Sequence, residues 1–310
     1  MKTLINKIKD FNFDKISFED LNDFFNTNGL PIIGHKIPLS SYVYRCRRNN
    51  NYFDLFYFEK DITYRTDIKN IKTFGRANFP NSSKFYGAIP TNEIDEGYLI
   101  SILETSTNIR NEIDGIEFFT VGQWVTKREF NVVTIVPDLS IKKLSEINEY
   151  LIQLFNNYKS SNSFTADQLA FHELIGVEFS KKVKINQENE YALSSAFSEA
   201  ILQNPNIGGI IYPSVQSKYK GINIVLNPKN ADELLHLKEI KFGAFYNFGH
   251  ITTFNSYFKT EIIQGYPFRW ERDVMTKDFN HIIDFYNING VNKDLLIKEL
   301  HEQIKRMKFK

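Results

Sequence analysis

The chain has 310 residues, enough for a substantial core in one large domain or two modest ones. Its 38 Lys and Arg against 37 Asp and Glu leave a formal net charge of +1, so no global field draws it to nucleic acid or an anionic membrane. The one cysteine, Cys46, rules out an internal disulfide and any zinc site built on several thiolates.

The opening Met1-Lys2-Thr3-Leu4-Ile5-Asn6-Lys7 lacks the apolar run of a signal peptide, and no later segment is apolar enough to span a bilayer. A soluble cytoplasmic protein is expected. Residues 1–41 read as a helical preface: Ser17 caps through Asp20, Leu21, Phe24 and Phe25 make one apolar face, and Gly29 and Pro31 end it. Tyr42 to Arg45 and Tyr52 to Phe58 have strand character. Leu99, Ile102 and Leu103 fall at helical spacing within 96–106. Phe130 to Val136 is the clearest strand, closed by Pro137-Asp138.

Three helices are expected next, over 140–158, from the capping box of Thr165 and Gln168, and over 188–203. Strands follow at Ile210–Tyr212 and Ile222–Leu226, separated by turn residues at 218–221. Residues 237–264 read as aromatic-rich strands. Leu296, Leu300, Ile304 and Met307 make one face of a helix over 292–309. There is no repeat, low-complexity tract or linker. The expected class is α+β, a central domain over 42–230 with extensions at 1–41 and 231–310. The 28 Phe and 16 Tyr read chiefly as core.

Several polar residues carry chemistry. Arg76 follows Gly75 in a loop or strand edge suited to gripping phosphate oxygens, and Arg45 is a second anion-binding candidate. Tyr86 precedes Gly87, where a ligand can approach closely. Glu104 sits beside an apolar helical face, and Ser214 follows Pro213 at a strand end. Taken singly, each is more often structural. His172-Glu173 begins like a zinc-protease motif, but Gly176 stands where the second His belongs, and the other histidines lack ligand spacing. Neither the phosphate loop of nucleoside triphosphatases nor the dinucleotide fingerprint of dehydrogenases is present.

Taken together, Gly-Arg-Ala-Asn-Phe-Pro at 75–80, Phe-Tyr-Gly-Ala at 85–88, Leu-Glu-Thr at 103–105 and Tyr-Pro-Ser-Val at 212–215 resemble the RES-domain family. The likeness continues through Asn223 and Leu226-Asn227-Pro228 and covers roughly 42–230. Many members carry Trp where Ala77 stands.

The resemblance implies a fold similar to ADP-ribosyltransferase toxins and a bacterial toxin that degrades NAD⁺. On that basis Glu104 and Arg76 are the expected catalytic residues, and Arg45, Tyr86, Ser214 and Asn223 the substrate-binding ones. Ser214 is expected to bond a phosphate or ribose oxygen. No metal or cofactor is implied: NAD⁺ is the substrate, and water or inorganic phosphate the acceptor. Transfer of ADP-ribose to a macromolecule, and a non-catalytic NAD-binding regulator, are the competing readings. An antitoxin, another regulatory partner or a second copy of the chain is expected to meet the extensions, unless these only cover sheet edges.

Overall fold

In the computed structural model the described residues are 32–50, 54–92, 94, 97–141, 145–161, 164–184, 186–249, 251–274, 277 and 279–290, with 8, 20, 23–25, 294, 297 and 298. Ten strands form one sheet. In chain order they are β1 (Gly34–Ile37), β2 (Tyr42–Asn49), β3 (Phe85–Ile89), β4 (Gly115–Thr126), β5 (Phe130–Thr134), β6 (Gly209–Pro213), β7 (Ile222–Leu226), β8 (Leu235–Phe248), β9 (Ile251–Glu261) and β10 (Glu271–Arg272). Across the sheet the order is β1-β5-β6-β7-β3-β2-β4-β8-β9-β10. Among the described strands only β5 and β6 pair in parallel, as the long helical crossover between them requires.

The helices are α1 (Glu59–Ile62), α2 (Gly97–Thr105), α3 (Thr107–Asn111), α4 (Glu146–Ser160), α5 (Ala166–Ser180), α6 (Ala192–Leu202), α7 (Pro228–Leu234) and α8 (Phe279–Ile288). The chain is thus α+β. Among the described residues no helix is long and apolar enough to cross a membrane.

The β1–β3 half of the sheet is buried on both faces, and strand alternation assigns its side chains. Val133, Ile210 and Val225 pack with Phe171 and Phe179 of α5 and Phe197 of α6. Val132, Ile211 and Ile224 turn the other way, toward Leu151 of α4 and Ala231 and Leu234 of α7. In the other half, Phe118, Phe242 and Phe248 meet Tyr286 of α8, while Phe119, Val121 and Phe245 meet Ile102 of α2. Each fully buried Phe contributes about 1.5–3 kcal/mol. The abundance of Phe is core, as its composition implied.

The two halves are barely joined. β2 and β3 share a single register pair, Tyr44↔Ala88, whereas β2 pairs with β4 along its whole length from Tyr42↔Val125 to Asn49↔Phe118. Beyond Tyr44 the sheet splits. At the join, a side chain on Gly87 would run into Val43 and the Tyr44 carbonyl, so glycine lets the two strands meet there before they part. α2 packs across both β2 and β3 and so lies over the join.

Several elements differ from the sequence-based expectation. Residues 54–58 are not a strand. The Asp61 carboxylate accepts from the backbone N–H of Tyr57 and Phe58 and turns the chain into α1. The helix expected over 140–158 starts at Glu146, where Ser145 accepts from Asn148 N; before it, Asp138 holds its own turn through Ser140 N. Residues 188–191 form a 3₁₀ turn ahead of α6. The expected N-terminal preface contains β1, and Phe24 and Phe25 are helical and buried. Ser17, Leu21, Gly29 and Pro31 lie outside the described residues, as do Leu296, Leu300, Ile304 and Met307. β3, β4, α7 and α8 had no counterpart in the expectation. The Thr165–Gln168 capping box and the strand Ile222–Leu226 are present as expected.

Candidate active site

The split opens into a cavity of about 550 Å³. β2 lines it with Arg45 and Arg47, β3 with Tyr86, α2 with Glu104 and β7 with Asn223, while Arg76 enters from the loop before β3. Ser214 stands directly behind Glu104. All six residues singled out in the sequence therefore converge, although Glu104 and Ser214 lie 110 positions apart.

Glu104 is half-buried at the C-terminal end of α2. Its Oε1 accepts from Ser214 Oγ at 2.6 Å and from the backbone N–H of Gln216 at 3.3 Å. Its Oε2 has no hydrogen-bond partner among the described residues. One oxygen is anchored and the other is left for chemistry.

The anchor is a strained turn. Lys218 and Tyr219 take positive φ of 55° and 64°, costly for non-glycine residues. Tyr219 N donates to Ser214 O at 2.9 Å and Ser214 N to Gly221 O at 2.9 Å. Asn148 of α4 donates to the Tyr219 carbonyl, and Tyr219 OH reaches Ser180 O at 3.0 Å. The Ser214 hydroxyl, fully buried, thus supports Glu104 rather than standing open to a ligand oxygen as expected.

Tyr86 is fixed through its hydroxyl, which donates to Asn78 Oδ1 at 2.7 Å and accepts from Ala77 N at 2.9 Å. Gly75 is needed in this turn, because a Cβ there would collide with Asn78 and crowd the Tyr86 hydroxyl. Burial raises the Tyr86 phenol well above its ordinary range, so it stays neutral.

Arg76 is 8% exposed and its fork is already occupied. Nη1 donates to Phe179 O at 2.7 Å and, at 3.5 Å, to Glu178 O; Nη2 donates to Lys181 O at 3.0 Å and Tyr191 OH at 3.4 Å. The guanidinium also lies 4.8 Å from the Tyr191 ring centroid. It closes the C-terminal end of α5, where the helix dipole favours a cation.

Arg45 bridges the split. Its Nη1 donates to Tyr86 O at 2.7 Å, and Nε is shared between Ile62 O and Thr63 O at 3.2 and 3.1 Å. Burial, and then the neighbouring Arg47 charge, lower it to about 10. Asn223 is 4% exposed and lines the cavity, and its amide has no partner among the described residues.

The sequence reading missed Arg47, Arg110, Tyr191, Tyr212 and Gln216, which also line the cavity. The signal for Arg47 was period two: it follows Arg45 on the same side of β2, but the strand was expected to stop at Arg45. Six arginines (45, 47, 48, 65, 76 and 110) line the cavity against the carboxylates of Asp67, Glu104 and Glu188. That excess gives the cavity a positive character, which favours an anion.

Residues 103–246 match the family model of the RES domain. The match contains Glu104, Ser214 and Asn223; Arg45, Arg76 and Tyr86 precede it and reach Glu104 through the cavity. No curated protein matches the chain.

Proposed function

We propose that this chain, a member of the RES-domain family, binds NAD⁺ in the cleft between β2 and β3 and cleaves the bond between nicotinamide and its ribose, depleting NAD⁺ as a toxin does. Glu104 carries the reading: a carboxylate with one oxygen pinned by Ser214 and Gln216 and the other without a partner among the described residues, in an arginine-rich cavity. A cavity of about 550 Å³ is of the size that holds a small organic ligand. We read the split sheet as the counterpart of the ADP-ribosyltransferase toxin fold.

The chemistry needs only one carboxylate. As the C–N bond breaks, its electron pair goes to the nicotinamide nitrogen, which is cationic in NAD⁺ and leaves neutral. No general acid is required, unlike a glycosidase with its two carboxyl groups. Positive charge builds on the ribose, and Glu104 stabilises it from a fixed position. Oε2 accepts a proton or hydrogen bond from a ribose hydroxyl or from the attacking acceptor. The Tyr86 ring, immobilised at its hydroxyl, provides a flat surface for the nicotinamide end. Asn223 offers its amide, and Arg45 and Arg76 contribute positive potential while holding the walls. The acceptor is water or inorganic phosphate, the latter entering as a co-substrate.

The test is to mix the purified protein with NAD⁺, with and without phosphate, and identify products by mass. Nicotinamide with ADP-ribose, or with its 1-phosphate, is expected. Glu104→Gln keeps the shape and removes the charge, and should abolish turnover with the fold intact. Full activity in that variant refutes the assignment.

A further inference from the structure

Six arginines line the cavity, and their donors are engaged to different degrees. Arg76 has both terminal nitrogens on carbonyls or Tyr191, and Arg45 has Nε and Nη1 on carbonyls. Arg65 is closed on Asp67 by two bonds, at 3.0 and 2.7 Å, which also neutralise it. Arg48 is paired with Glu117 at 3.1 Å. Arg47 is different. Among the described residues its side chain makes one hydrogen bond, a long one from Nη1 to Thr63 O at 3.4 Å, and no carboxylate faces it within ion-pair distance.

Arg47 is also held in place. It is half-buried, and its guanidinium lies 5.8 Å from the Phe56 ring centroid, which restricts the plane of the fork. Arg45 precedes it on the same side of β2, so two like charges lie side by side at the split. Burial chiefly lowers the Arg47 guanidinium from its ordinary value, the charge of Arg65 being opposed by those of Asp67 and Asp61, and Arg47 in turn lowers Arg45. An anion between them would relieve this repulsion.

We propose that Arg47 is the principal anion ligand of the cavity, gripping the diphosphate of a nucleoside diphosphate moiety with its unused donors, while Arg45 and Arg76 chiefly hold the walls. This rests on the NAD⁺ reading for the identity of the dinucleotide but not for the anion site itself. A planar fork with several free N–H groups matches two adjacent phosphate groups better than a point charge does.

The experiment measures ADP binding by calorimetry, with adenosine as the uncharged control, for wild type, Arg47→Gln and Arg47→Lys. The Gln variant retains part of the stem over Phe56, and its melting temperature should match wild type. Loss of about one charge-assisted bond, the Gln amide keeping a neutral donor, should weaken ADP about 10- to 150-fold, with the Lys variant between and adenosine unchanged. Wild-type affinity for ADP in Arg47→Gln overturns the proposal, as does a wild-type protein that does not bind ADP. If ADP binding depends on Arg47 but no nicotinamide is ever released from NAD⁺, the anion site stands and the NAD⁺-cleaving reading falls.

Discussion

Replacing Ser214 by alanine separates two roles that a hydroxyl beside a carboxylate can have. The hydroxyl is fully buried and lies 2.6 Å from Glu104 Oε1, so a ligand in the cavity meets the carboxylate and not the serine. A hydrogen bond to a charged group contributes about 1.5–3 kcal/mol. Gln216 N stays at 3.3 Å and holds the carboxylate less firmly. If the whole of that term is used to keep Oε2 on the ribose in the transition state, kcat falls about 10- to 150-fold. KM should stay within about a factor of two, because no substrate contact is removed. Ser217 N also loses an acceptor at 3.3 Å, worth about 1 kcal/mol, so with the bond to Glu104 the folded state loses about 2.5–4 kcal/mol, a fall of about 4–6 °C in Tm for a chain of this length. The assay is steady-state nicotinamide release over a range of NAD⁺ concentrations, with a thermal melt as folding control. A raised KM with unchanged kcat would mean that Ser214 touches substrate, and would refute the positioning role.

Arg76→Ala should act first on stability. Four donor contacts to three carbonyls and Tyr191 are lost from a buried site, about 3–5 kcal/mol. At about 2.1 cal/mol/K per residue this lowers Tm by roughly 5–8 °C; an unchanged Tm with weakened ADP binding would show the fork to be an anion grip instead. Cys46, its thiol on the Ser101 carbonyl, is raised by burial to about 12 from an ordinary 9.0. Native protein at pH 8 should therefore resist iodoacetamide, and rapid labelling would contradict its burial. The sign of the pH effect follows: the unfolded thiol ionises from about pH 9 and the folded one only near 12, so the contribution of Cys46 to stability is intact below pH 9. It is lost as pH rises from 9 to 12, at most about 4 kcal/mol. Cys46→Ala should flatten that part of the alkaline unfolding curve.

What could be seen in the sequence was local. Thr165 and Gln168 announce a helix start because a capping box is a contact between near neighbours, and Ile222–Leu226 announces a strand because four apolar residues around Asn223 are bounded by turn signals. β4 was not visible. Its twelve residues are buried almost throughout between β2 and β8, so the inside–outside alternation that marks a strand is absent. Tyr52–Phe58 misled for the opposite reason: aromatic residues suggested a strand, but one side chain, Asp61, supplied a competing turn.

For the site, the motif order brought Arg45, Arg76, Tyr86, Glu104, Ser214 and Asn223 together, and the cavity does gather them. The division of labour among the arginines was not legible. It depends on which carbonyls stand nearby, and the carbonyls that occupy Arg76 belong to residues more than 100 positions away. No spacing rule encodes that.

The single pair joining β2 to β3 has a consequence for cohesion. Sheets are held by many small bonds across every neighbouring pair, and here one seam is thinly stitched, with the Arg45–Tyr86 bond one of the few threads across it. A molecule lying in that seam contacts both banks at once and becomes part of what keeps them together. At a hundred times its dissociation constant such a ligand adds about 2.7 kcal/mol to the folded state. Under the proposed function a bound substrate is also a temporary piece of the sheet, lost again each time the bond it brought is cut and the products leave.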